Sequence, residues 1–242
     1  MQRDYHRWYS NRLERDMAVI VYGHWGTPLI AFPTSGGDEW EYESQGMVGA
    51  LADFIEAGKI KFVSVGSVAG QSFYNKGAHP FHRSYVLAQF DSYIRYEVVP
   101  FLWTHCRGQV AIATMGASLG AYHAANTIFK HPDVIKGCFG LSGQYDIKSF
   151  MDGLYDENLY FNNPVDYLPN LSDPSIISAL NSCEIHIATG TGPWEHSGPS
   201  YYLASILQGK GIRCHLDDWG SKGGHDWPYW KNQMREYVGG LF

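Results

Sequence analysis

The sequence predicts an α/β fold: a mostly parallel central sheet with helices on both faces and an antiparallel N-terminal hairpin. Three observations carry that reading. Short apolar runs rich in β-branched residues recur at 17–22, 28–33, 60–65, 110–115, 134–141, 185–189 and 212–216. They are apolar without alternation, as strands covered on both faces tend to be. Amphipathic helical stretches lie between most of them, and strand–helix alternation builds parallel sheets. The first two runs are joined only by Gly23-His24-Trp25-Gly26, a link short enough for an antiparallel hairpin.

The helices follow in order. Met47, Val48, Leu51, Phe54 and Ile55 share one helical face, with Gly58 as a stop. Val86, Phe90, Ile94, Val98 and Leu102 recur every four residues, and Pro100 is expected to kink the last turn. Gly120, Ala121, Ala124, Ala125 and Ile128 form a small-residue face that ends before Pro132. Leu203, Ile206 and Leu207 mark another helix. Asp226 and Pro228 read as the N-cap and first-turn proline of a final helix carrying Trp230 and Met234. Residues 144–173 are irregular and aromatic-rich. They are expected to lie over one end of the sheet as an excursion from a single domain spanning 1–242.

Composition excludes several function classes. A chain of 242 residues can bury a full core, and 17% charged with 15% aromatic residues is unlike a disordered chain. A net charge of −6 gives no nucleic-acid footprint. No apolar stretch is long enough for a membrane span. The first twenty residues are heavily charged and have no apolar core, so a cytoplasmic chain is expected. The four cysteines, Cys106, Cys138, Cys183 and Cys214, form no C-x-x-C pair. Neither a disulfide scaffold nor a cysteine zinc site is expected.

Gly116-Ala117-Ser118-Leu119-Gly120 fits G-x-S-x-G. The string alone is weak, but a predicted strand precedes it and a predicted helix follows, which is the context the motif requires. The turn would hold Ser118 in a strained conformation above the strand ends, with the Leu119 N–H pointing into the same space. A serine hydroxyl needs a base to take its proton. Of the eleven histidines, His225 stands in Gly223-Gly224-His225-Asp226-Trp227, after the last apolar run and before the final helix. A histidine belongs there in a serine–acid–histidine chain order. The orienting acid is expected after run 185–189, where Glu195 is the only acid in the loop; Asp217 and Asp218 are the alternatives. A second donor for a developing oxyanion is expected from Thr34-Ser35-Gly36-Gly37, through the N–H of Ser35 or Gly36. Trp25, Trp40, Phe73, Tyr74, Trp194 and Trp227 are candidates for the pocket wall.

These residues resemble the esterase D-like branch of the α/β-hydrolase superfamily, which includes S-formylglutathione hydrolases and mycolyltransferases. The elbow Gly116–Gly120 matches the superfamily's serine motif. Val68-Ala69-Gly70-Gln71-Ser72-Phe73-Tyr74 is similar to a segment that follows a core strand in mycolyltransferases. Gly190-Thr191-Gly192-Pro193-Trp194-Glu195 is similar to the loop ending in their catalytic glutamate. His225-Asp226-Trp227-Pro228-Tyr229-Trp230 resembles the region opened by the branch's catalytic histidine. The resemblance runs from about Thr27 to the C-terminus. It implies an α/β-hydrolase fold, a serine nucleophile and hydrolysis or transfer of acyl groups, and it strengthens the assignment of Glu195. The function expected is a serine ester hydrolase acting on a small-molecule ester, with no metal or organic cofactor. The alternatives are an acyltransferase using the same residues and a catalytically silent binding protein.

Overall fold

The computed structural model describes residues 1–242. Its strands are β1 (Arg3–Ser10), β2 (Arg15–Tyr22), β3 (Thr27–Phe32), β4 (Ile60–Val65), β5 (Ile112–Ala117), β6 (Ile135–Leu141), β7 (Glu184–Thr189) and β8 (His215–Asp218). They form one eight-stranded sheet in the order β1-β2-β4-β3-β5-β6-β7-β8. The β1–β2 and β2–β4 pairs are antiparallel, and every other pair is parallel. This is the α/β-hydrolase fold.

The N-terminal hairpin is present, but its arms are not those expected. β1 pairs with β2 over their full length, Arg3 opposite Tyr22 and Ser10 opposite Arg15. Runs 17–22 and 28–33 do not pair, because β4 lies between them. Gly23 and Gly26 take φ of 96° and 99°. A Cβ on Gly26 would lie 2.5 Å from the Ile60 nitrogen, so the link turns tightly beneath the start of β4. β1 carries Arg3, Asp4 and Arg7 and alternates between exposed and half-buried residues. An edge strand faces solvent, so its pattern differs from that of the interior runs.

The interior strands separate two cores. Val19, Val21, Ile30, Phe32, Ile112 and Ile185 face one side, with the helices Pro80–Tyr93, Leu119–Lys130 and Gly198–Gly209. Ile20, Tyr22, Leu29, Ala31, Ala113 and Met115 face the other, with the C-terminal helix Trp227–Leu241. Burial on both faces is why these runs are apolar throughout.

Several boundaries differ from expectation. The face expected over 47–55 is broken into short turns, Glu41–Ser44, Met47–Ala50 and Ala52–Glu56. The helix carrying Val86 to Leu102 contains a π-helical turn, Ile94–Val98, just before Pro100. Pro100 has no N–H for the preceding turn, and the widened turn absorbs that loss. β8 starts three residues later than the apolar run at 212, because Ile212 is core-packed but still belongs to the turn after Gly211. Asp226 caps the final helix by accepting the Trp227 N–H at 2.7 Å, and Trp230 and Met234 are buried as expected. No helix is long and apolar enough to cross a membrane.

Residues 144–173 fold into brief helical turns at Lys148–Met151, Glu157–Tyr160, Pro164–Tyr167 and Leu168–Asn170. They are strapped to the helices beneath. Tyr122 donates to the Asn162 carbonyl at 2.7 Å, buried Arg83 to the Phe150 carbonyl at 2.6 Å, and Ser84 to Asp156 at 2.7 Å. The segment leaves the sheet beside Ser118, where the Gln144 N–H meets the Ser118 carbonyl at 3.4 Å.

Candidate active site

The carboxyl ends of β3, β5, β7 and β8 bring the predicted residues to one rim of the sheet. Ser118 lies between β5 and the helix Leu119–Lys130 with φ 56° and ψ −119°. A non-glycine residue there is strained, and it is held by its surroundings. Its N–H donates to the Leu141 carbonyl at 2.9 Å, which ties the elbow to β6. A Cβ on Gly116 would lie 2.1 Å from the Gly120 carbonyl carbon, and one on Gly120 would lie 2.2 Å from the Phe32 carbonyl oxygen. Both clashes are with backbone, which cannot swing aside. Gly120→Ala is therefore expected to destabilise the fold by about 3 kcal/mol. Urea unfolding would show this as a lower midpoint at an unchanged slope.

The Gly120–Phe32 contact sets the start of the helix directly against the end of β3. The following turn, Thr34 to Gly37, is organised by Glu41. Its carboxylate accepts the Thr34 N–H at 2.7 Å and the Thr34 hydroxyl at 2.5 Å. Gly37 leaves room for that carboxylate, which a Cβ would meet at 2.2 Å. The N–H groups of Ser35, Gly36 and Leu119 have no acceptor within the protein. Free backbone donors at a helix start and an adjoining turn form a surface suited to negative charge.

His225 sits in the loop between β8 and the final helix. Its N–H donates to the Pro193 carbonyl at 2.9 Å, and its ring meets Trp230 edge-on at 5.2 Å. Trp230 in turn donates to the Ser142 hydroxyl at 3.0 Å. Burial draws the His225 pKa below its ordinary value, while the carboxylates of Glu195 and Asp226 pull the other way. The imidazole is thus neutral near pH 7, the form a base needs. His123, on the helix after Ser118, is boxed by Phe32, Phe73, Phe90 and Tyr122, and burial draws its pKa down to about 3.

Glu195 is half-buried. Thr189, the last residue of β7, donates its hydroxyl to Oε1 at 2.9 Å, while Oε2 is buried with no partner. An orphaned buried carboxylate oxygen is costly and marks the place of a missing donor. The loops of Glu195 and His225 are interlocked through backbone: Gly192 N–H donates to the Gly223 carbonyl at 2.7 Å and Thr191 N–H to Gly220 at 2.8 Å. No hydrogen bond joins Ser118 to His225 or His225 to Glu195. Such bonds are often long in a resting site and tighten with substrate. The alternative acids are engaged elsewhere. Asp217 accepts from His186 at 2.7 Å and Tyr237 at 2.9 Å; Asp218 accepts from Tyr201 at 2.7 Å and the Gly220 N–H at 2.8 Å.

Of the aromatic candidates, Trp25 is 70% exposed at the opposite end of the sheet, before β3. Trp40 stacks on Tyr5, and Phe73 is buried against Tyr122 and Phe150. Trp194, beside Glu195, is 87% exposed. The supporting residues Thr189, Ser142 and Glu41 carry no local motif; each acts across a loop or between strands.

An eight-stranded sheet of this order, with a serine at a strained strand–helix turn, defines an α/β-hydrolase. The chain belongs to the family described as "Putative esterase", whose profile matches residues 10–241. That places it among the carboxylic ester hydrolases. Similar solved structures include a ferulic acid esterase, at TM-score 0.75 and 16% identity over 100% of this chain and 99% of that one. An S-formylglutathione hydrolase from Agrobacterium tumefaciens gives TM-score 0.72 and 14% identity over 99% and 95%. MPT51 of Mycobacterium tuberculosis gives 0.69 and 16% over 98% and 97%. Both branches that the sequence resembles are thus among its structural neighbours. No curated protein matches the sequence significantly.

Proposed function

We propose that this protein hydrolyses small-molecule carboxylic esters through Ser118, His225 and Glu195 by way of an acyl-enzyme. The observation that carries the reading is the strained elbow of Ser118 beside the unpartnered N–H groups of Leu119, Ser35 and Gly36. His225 takes the hydroxyl proton as Ser118 attacks the ester carbonyl. Glu195 Oε2 accepts the imidazole N–H, orienting the ring and stabilising its cation. The Leu119 N–H and one N–H from Ser35 or Gly36 receive the oxyanion, each worth about 3 kcal/mol in comparable sites. His225 then protonates the leaving alcohol, and water repeats the sequence on the acyl-enzyme. Residues 1–242 act as one catalytic domain, and the 144–173 excursion forms a wall over the site.

A fluorophosphonate probe tests this. The expected result is covalent labelling of the wild type that is lost in Ser118→Ala. A folded wild type that does not label would overturn the reading. A second test is the pH profile. His225 must be neutral, and its pKa is depressed, so kcat/KM is expected to fall on the acid side with a midpoint below about 6.5. A flat profile from about pH 5 to 8 would remove His225 as the base.

A further inference from the structure

At the end of the sheet opposite Ser118, a second group of side chains converges. Glu184 opens β7, His186 follows two residues later, and His215 opens β8. The register sets His186 directly opposite His215, so all three side chains lie on one face. His186 Nε2 lies 3.0 Å from Glu184 Oε1, and His215 Nε2 lies 3.2 Å from the same oxygen. The two rings stack at 4.6 Å, with Phe139 stacked on the far side of His186 at 5.5 Å.

We infer that Glu184, His186 and His215 form a binding site for a divalent transition metal of the Zn²⁺ class. Two imidazole nitrogens and one carboxylate oxygen are ligands that zinc prefers. Zn–N and Zn–O bonds of about 2.0–2.2 Å put tetrahedral neighbours roughly 3.3 Å apart, close to the two nitrogen–oxygen spacings here, and the exposed His215 ring turns out of its stack on His186 to bring its own lone pair onto the ion. The second observation is the support behind the ligands. The buried His186 presents Nδ1 to Asp217 Oδ2 at 2.7 Å, and that carboxylate also accepts from Tyr237 at 2.9 Å. A carboxylate on the remote ring nitrogen fixes the tautomer whose Nε2 lone pair faces outward to a metal. With Nδ1 held by Asp217, Nε2 and Glu184 Oε1 face each other at 3.0 Å, where a divalent cation can take the place of the proton that joins them. Lys136, the nearby cation, is drawn away by its bond to the Pro132 carbonyl at 2.6 Å. Glu184 also borders a cavity of about 360 Å³ beside Leu241 and Phe242, which gives solvent a way to its carboxylate.

His186 lies about 10 Å and Glu184 about 16 Å along β7 from Thr189, so the site is separate from the proposed catalytic centre. Its role is that of a clamp. It joins edge strand β8 to β7, and through Asp217 and Tyr237 it reaches the C-terminal helix. The loop carrying His225 hangs between those two elements.

The test is zinc chloride titrated calorimetrically into the untagged, EDTA-stripped full chain, with a thermal melt alongside. One equivalent is expected to bind, and Tm to rise by about 5–10 °C when free Zn²⁺ is a hundredfold above Kd. His215 is exposed and opens an edge strand, so His215→Ala is expected to keep the metal-free Tm while losing at least about tenfold in affinity. Asp217→Asn is expected to lose about 10–100-fold. His105→Ala, in the separate Asp4–His6–His105 cluster, is expected to bind as the wild type does. Absence of stoichiometric binding below about 100 μM overturns the inference. So does binding that survives His215→Ala unchanged or is lost in His105→Ala instead.

Discussion

Ser118→Ala is expected to lower kcat on a nitrophenyl ester by about 10⁶-fold, with KM changing far less. The proposed site explains the size of that loss. The hydroxyl is the only group there that can bond to the carbonyl carbon, and His225 has no other proton to take at that position. What survives, about 10³–10⁴ over the uncatalysed reaction, comes from substrate binding and from backbone donors that the substitution leaves in place. The fold should be intact, because alanine keeps the Cβ and the Ser118 N–H still bonds Leu141. Steady-state kinetics beside a thermal melt separates the two effects. A variant within about tenfold of the wild type would mean that the chemistry lies elsewhere.

Glu195→Gln is expected to lower kcat by about 10⁴-fold. The amide is close in shape but neutral, and it can present N–H where the imidazole needs an acceptor. The ring then loses both its orienting partner and the charge that stabilises its protonated form. Thr189 can still donate to the amide oxygen, so stability should change little. Asp217→Asn and Asp218→Asn, assayed in EDTA, should keep wild-type turnover, since both carboxylates are held by tyrosines and by His186 or Gly220. Loss of activity in either, with Glu195→Gln unaffected, would reassign the acid.

The interior of the sheet was legible because burial on both faces leaves uninterrupted apolar runs such as 17–22 and 60–65. β1 was not, because an edge strand presents one row of charges to water. The false pairing of 17–22 with 28–33 has the same origin: a four-residue link permits a hairpin, but β2 already had β1 on one side and β4 on the other. The elbow could be read because its chemistry is local, with Gly116 and Gly120 two residues either side of Ser118. The supports could not. Thr189 meets Glu195 across a loop, Ser142 meets Trp230 from 88 residues away, and Glu41 reaches back to Thr34. The facing of His186 and His215 depends on strand register, which neither strand specifies alone.

The glycines where the acid and histidine loops meet have an engineering consequence. A Cβ on Gly190 would lie 2.3 Å from the Gly223 carbonyl, and one on Gly192 would lie 2.7 Å from it, so the two loops press together backbone on backbone. They should flex as one hinge-free piece. Redesign for bulkier esters is then best directed at 144–173, whose straps are side-chain bonds that can be exchanged one at a time. Lengthening either glycine-rich turn would move Glu195 away from His225, and on the proposed mechanism a well-folded but idle protein is the expected result.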